Sequence, residues 1–156
     1  MRFEHKGVAF ELLGDPHLGK KFRNGVPLHR LGDREKMQWA DFRKSLHTPC
    51  DVHVCMGDIF DSFLVPLTVI LRTAEEYIKA AKTVNPKTSY FLLRGNHDAS
   101  RDLERTSAFD ILAALVSHVP NIKVVKEEAL VYYTEHGVGP SPVALTFIPW
   151  HPVKTA

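Results

Sequence analysis

Three short polar clusters carry the residue types that do chemistry in this 156-residue chain. The first is Asp15-Pro16-His17, which sets a carboxylate and an imidazole two residues apart, close enough to grip one ion. The second is Gly57-Asp58-Ile59-Phe60-Asp61, where a glycine allows a sharp backbone turn and Asp58 offers two oxygens that can bridge two cations. The third is Gly95-Asn96-His97-Asp98, with a neutral carbonyl oxygen on Asn96 and a proton donor in His97. Mixed oxygen and nitrogen donors suit manganese, iron or zinc better than calcium. Two cations sharing one carboxylate activate water and clamp a phosphoryl group for in-line attack. Taken singly, each cluster reads as an ordinary turn, strand stop or polar loop.

What joins them is their placement. Residues 8–13 form an apolar run of strand length, stopped by Gly14-Asp15-Pro16-His17. Val52, Val54 and Met56 mark a second strand, stopped by Gly57-Asp58. Residues 88–93 read as a third, broken by Arg94-Gly95-Asn96. Helices lie between them. One begins at Asp33, which caps it, and has a ragged apolar face of Met37, Ala40, Phe42 and Leu46 before Pro49. Another spans 66–84, with Pro66 in its first turn and Leu67, Ile70, Leu71, Ala74, Ile78 and Ala81 at helical spacing. A third runs from about Thr106 to Val119, and strands at 122–125, 129–134 and 143–148 complete the chain. Alternating strands and helices predict an α/β fold with a mainly parallel sheet. Ligands of such sheets gather beyond the carboxyl ends of the strands, where all three clusters fall.

Composition is that of a globular protein, 44% hydrophobic and 24% charged, with a net charge of +2 that neither requires nor forbids nucleic acid. Cys50 and Cys55 are too far apart for a CxxC pair and are expected to be reduced thiols. The polar start, Met1 to Lys6, is not a signal peptide, and no apolar stretch reaches the ~20 residues that span a bilayer. The expectation is one domain over residues 1–156, cytoplasmic, with no membrane association.

Asp-x-His, Gly-Asp-x-x-Asp and Gly-Asn-His-Asp, in this order and at these intervals, resemble the first three signatures of the calcineurin-like metallophosphoesterases. The resemblance covers nearly the whole chain. It implies a βαββα-type sandwich of two sheets with the site at its edge. It implies that Asp15 and His17 hold a first metal, that Asp58 bridges two metals, and that Asn96 holds the second. His97 would serve the leaving group as an acid or electrostatic partner, and Asp61 would orient His97 by a hydrogen bond. Asp15-Pro16-His17-Leu18-Gly19, Gly57-Asp58-Ile59-Phe60-Asp61 and Phe147-Ile148-Pro149-Trp150 are further similar to the double-strand-break-repair nucleases. These are the SbcCD-type nuclease subunit and its phage recombination-endonuclease relatives. That branch implies manganese, DNA phosphodiesters as substrate and a coiled-coil ATPase subunit as partner. The rivals are a phosphomonoesterase of the same superfamily and a catalytically incomplete DNA-binding or assembly module.

Two later signatures of that family, a Gly-His and a Gly-His-x-His, have no match, since His136 and His151 fit neither pattern. The second metal position is therefore expected to be incomplete, and the fold to be an amino-terminal portion incomplete at its carboxyl end. The basic segment 20–34, with Lys20, Lys21, Arg23, Arg30 and Arg34, lies right after the first cluster. Lys20 and Arg23 are candidate phosphate contacts, as is Arg94 beside Gly95. Trp39 and Phe42 are expected in the core, and apolar residues on more than one face of the 66–84 helix raise a homodimer contact.

Overall fold

The strand Val52-His53-Val54-Cys55 buries all four of its side chains, which requires cover on both faces of its sheet. The computed structural model, which describes residues 1–98, 105–134, 137–138 and 143–150, supplies that cover. Strands β1 (Arg2–His5), β2 (Val8–Leu13), β3 (Val52–Cys55), β4 (Ser89–Leu93) and β5 (Ile122–Val125) form one five-stranded sheet in that order. Pairs β2–β3, β3–β4 and β4–β5 are parallel, and β1–β2 is antiparallel. Strands β6 (Ala129–Thr134), β7 (Gly137–Val138) and β8 (Val143–Phe147) make a second sheet, ordered β7-β6-β8.

Helices α1 (Asp33–His47), α2 (Leu67–Lys79) and α3 (Ala108–Val116) cover one face of the large sheet. Trp39, Phe42, Ile70, Tyr77, Phe109 and Leu112 pack there against Cys55, Tyr90 and Leu92. On the other face, Val131, Val143 and Phe147 of the second sheet pack on Val8, Phe10, Val52, Val54 and Phe91. The period of two along β3 explains the split: Val52 and Val54 face the second sheet, while Cys55 faces the helices. The rings of Phe91 and Phe147 stack at 4.6 Å, joining the sheets by a contact worth about 1 kcal/mol beyond area burial. Buried His53 sits 3.0 Å from the Ser45 hydroxyl on α1, and burial pushes its imidazole down to about 4.

Several expectations shift. The polar start, to which no element was assigned, forms strand β1, and Lys6-Gly7 closes its hairpin with φ of 50° and 79°. The α1 N-cap is Gly32, not Asp33, and no side chain bonds the cap. Its buried face is Trp39, Phe42 and Leu46, leaving Met37 63% exposed. The 66–84 helix is α2 followed by a π-helical turn at Ala80–Val84. Helix α3 is shorter than expected and begins at a capping box of Ser107 and Asp110. The fold class stands: α/β, a sandwich of two sheets with a parallel-rich central sheet. Cys50 and Cys55 are free thiols. Among the described residues no helix is long and apolar enough to cross a membrane.

Candidate metal centre

The parallel registers pair Leu13 with Cys55, and Cys55 with Leu92. Strands β2, β3 and β4 therefore end at one edge, and the loops that follow them emerge side by side. The first two of these loops are joined by main-chain bonds. The His17 amide donates to the Asp58 carbonyl at 3.1 Å, Leu18 to Ile59 at 2.8 Å, and Asp61 to Leu18 at 3.0 Å. Leu18, Ile59 and Phe60, each fully buried, form an apolar floor under the pair. From α1, the Gln38 amide donates to the carbonyls of Pro16 and His17 at 2.8 and 2.9 Å, pinning the first loop to the helix.

This anchoring supports unusual backbone. His17 and Asp58 have φ of 45° and 47°, left-handed values that cost a non-glycine residue roughly 1–2 kcal/mol each. The third loop presses close. A Cβ on Gly57 would lie 3.0 Å from the Gly95 Cα, and a Cβ on Gly95 would overlap the Asp58 carboxylate and amide. Only a residue without a side chain at 95 admits Asp58 in this position.

Asp15, His17 and Asp58 each bring one donor atom within 4.8 Å of the others. Donors about 2.1 Å from a shared ion are at most roughly 4.2 Å apart, so the three need close only slightly. His17 Nδ1 is enclosed without a hydrogen-bond partner, and its nearest acid, Asp61 Oδ1, is 3.9 Å away. One imidazole and two carboxylates so close together are a donor set that could hold a cation. Asn96 stands exposed on the turn after β4. In the same turn the His97 amide donates to Asp58 Oδ1 at 2.8 Å, so this loop approaches the Asp58 carboxylate. The expected ligands Asp15, His17 and Asp58 are thus together, with Asn96 next to the residue that contacts Asp58.

His97 is exposed, and its ring meets His17 edge-on at 5.1 Å between centroids. Its Nδ1 lies 2.9 Å from the main-chain carbonyl of Asp61. A carbonyl only accepts, so Nδ1 is the protonated nitrogen and Nε2 faces outward. That bond, and then the carboxylates of Asp58, Asp61 and Asp98, raise the His97 pKa, with desolvation opposing them. The expected partnership of Asp61 and His97 is present through a different atom. The carbonyl of Asp61 orients His97, and its carboxylate turns toward His17.

Asp98, given no role from sequence, is only 1% exposed. Its carboxylate accepts the amides of Gly95 at 2.9 Å and of Ile59 and Phe60 at 3.4 Å. It ties the second loop to the third. Burial pushes its pKa up to about 6, against the pull of those amides. The signal available was an acidic residue three positions after a glycine, able to accept the amide of its own turn.

Arg94 is placed beside the site, with its guanidinium directed to main-chain carbonyls. Nη2 donates to Lys126 at 3.1 Å and to Trp150 at 3.4 Å, Nε also reaches Trp150, and the Trp150 amide returns a bond to the Arg94 carbonyl. This ties the end of β4 to the Phe147-Ile148-Pro149-Trp150 segment, a structural use that competes with phosphate contact. Lys20 is exposed, its Nζ 5.7 Å from the Phe22 ring centre, and Arg23 lines a cleft beside it. His136 and His151 lie outside the described residues.

Residues 12–154 match the family described as calcineurin-like phosphoesterase. No curated protein matches. Among solved structures, the Pseudomonas putida nuclease MPE is similar at 21% identity with a TM-score of 0.40. The similarity covers 81% of this chain and 60% of that one, so this chain spans 60% of that nuclease's length. The family match spans the three loops that converge at the sheet edge, and the chain belongs to the calcineurin-like phosphoesterase family.

Proposed function

We propose that this protein hydrolyses phosphodiester bonds of DNA with the aid of two divalent cations, manganese foremost. The observation that carries the reading is the meeting of Asp15, His17 and Asp58 within 4.8 Å, with His97 alongside. When bound, the cations would supply Lewis acidity toward the phosphate and an activated water. Asp15 and His17 would hold one of them, Asp58 both, and Asn96 the other. His97, with Nδ1 fixed on the Asp61 carbonyl, presents Nε2 to the leaving sugar oxygen. As imidazolium it donates a proton or hydrogen bond there as charge develops. The basic segment that starts three residues after His17 favours a polyanionic substrate over a small phosphate monoester.

The test is cleavage of linear duplex DNA by the purified chain with Mn2+, beside an Asp58→Ala control. The expected result is metal-dependent product from the first and none from the second. Hydrolysis of an aryl phosphate monoester with indifference to DNA would replace the substrate class while keeping the phosphoesterase reading.

A further inference from the structure

Next to the metal centre, the chain from 20 to 35 encloses a cleft of about 580 Å³ lined by Lys21, Phe22, Arg23, Val26, Leu31 and Glu35. The Lys20 amide donates to the His17 carbonyl at 3.3 Å, so this chain leaves directly from a metal ligand. Lys21 follows His17 by four residues, a reach of at most about 14 Å. The cleft combines three features. Its floor is apolar. An aromatic ring, Phe22, stands in it with Lys20 Nζ 5.7 Å and the Arg34 guanidinium 5.8 Å from the ring centre. Its rim is cationic, through Lys21 and Arg23. One acid intervenes: Glu35 Oε1 accepts the Phe22 amide at 2.9 Å, which fixes the backbone under the ring.

An aromatic ring flanked by exposed cations, over an apolar floor, is the chemistry that stacks a base and follows its backbone. Lys20 and Arg34 are exposed and flexible enough to yield the ring face to a base and turn to its phosphates. Bases inside a duplex present only their edges, so a base reaches this ring only when unpaired.

We infer that the cleft around Phe22 is a subsite for one unpaired nucleobase, placed one or two nucleotides from the scissile phosphate, so that single-stranded or frayed DNA ends are held in preference to blunt duplex. The inference deepens the DNA reading above and rests on it.

The experiment is fluorescence anisotropy of labelled (dT)10 and of a blunt 20-base-pair duplex, with chelator present so that binding is read without turnover. Wild-type, Phe22→Ala and Phe22→Trp chains are compared, and Mn2+-dependent cleavage of the same DNA is measured in parallel. Loss of one stacked base weakens single-strand binding about tenfold in Phe22→Ala. Duplex binding stays unchanged, and Phe22→Trp, which keeps a stacking face, retains wild-type affinity. DNA cleavage with single-strand affinity indifferent to Phe22→Ala would overturn the subsite and leave the nuclease reading standing. Phe22-dependent binding without cleavage would support the subsite and remove the nuclease reading. No binding of either DNA by the wild type would overturn both.

Discussion

Two neighbouring loop regions are built in opposite ways. The loops of the candidate metal centre follow β2, β3 and β4; the first two are joined by main-chain bonds and seated on fully buried Leu18, Ile59 and Phe60. A buried carboxylate, Asp98, locks them. The basic segment 20–32 leaves the same strand end, yet its bonds are mostly to its own near neighbours: Val26 to Arg23, Arg30 to Pro27, Leu31 to Leu28. Lys20 to His17 is equally local, Phe22 to Glu35 is a longer link, and Leu28 is 87% exposed. The contrast fits what each would hold under the proposed function. Metal ligands lose function when displaced by about 1 Å, so left-handed backbone at His17 and Asp58 is supported from all sides. A surface that met a flexible polyanion, as proposed for this segment, would gain from adaptable cations and lose little by loose anchoring.

The contrast can be broken most severely at Gly95. Gly95→Ala would push its Cβ into the Asp58 carboxylate. Mn2+-dependent turnover should fall about a hundredfold or more, read as initial rates on a linear DNA substrate. Circular dichroism should show the sheet intact. Retained turnover would mean that the two loops are less closely seated than described.

Asp98→Ala removes the acceptor of three amides and leaves them in a buried site. The expected cost is roughly 2–4 kcal/mol, read from urea unfolding midpoints at pH 7. A change below about 0.5 kcal/mol would show that the loops are held without it.

A third prediction places the core beside both regions. Burial holds His53 at about 4, below its ordinary 6.5. The unfolded chain therefore binds the proton first. This group's contribution is fully present above pH 6.5 and is lost as pH falls toward about 4. By pH 5 the loss is on the order of 2 kcal/mol. His53→Leu should flatten that part of the stability-against-pH curve, and an unchanged slope would assign the dependence elsewhere. Smallest of all, Leu28→Ser in the basic segment should shift stability by less than about 0.5 kcal/mol by the same urea assay.

The convergence of the three polar clusters was legible because each closes a recognisable strand, and parallel strands of matched register end together. Strand β1 was not legible. All four of its residues are exposed, so it shows no alternation of burial, and Lys6-Gly7 is a weaker hairpin signal than Asn-Gly. The face of α1 was misjudged because Met37 and Ala40 share the apolar character of Trp39 and Phe42, and only packing against α2 selects the phase. Residue types also do not say which atom acts. Asp61 meets His97 through its carbonyl, Asp98 serves amides rather than an ion, and Arg94 spends donors on carbonyls. Each of these depends on loops brought together across the sheet, beyond the reach of local pattern.

The central claim is that the edge of the large sheet is a metal centre organised by Asp58. Isothermal titration of Mn2+ into the wild-type chain and into Asp58→Ala tests it most directly. Saturable binding by the wild type that is abolished in the variant, with unchanged circular dichroism, is the predicted result. Equal binding by both chains would contradict the account.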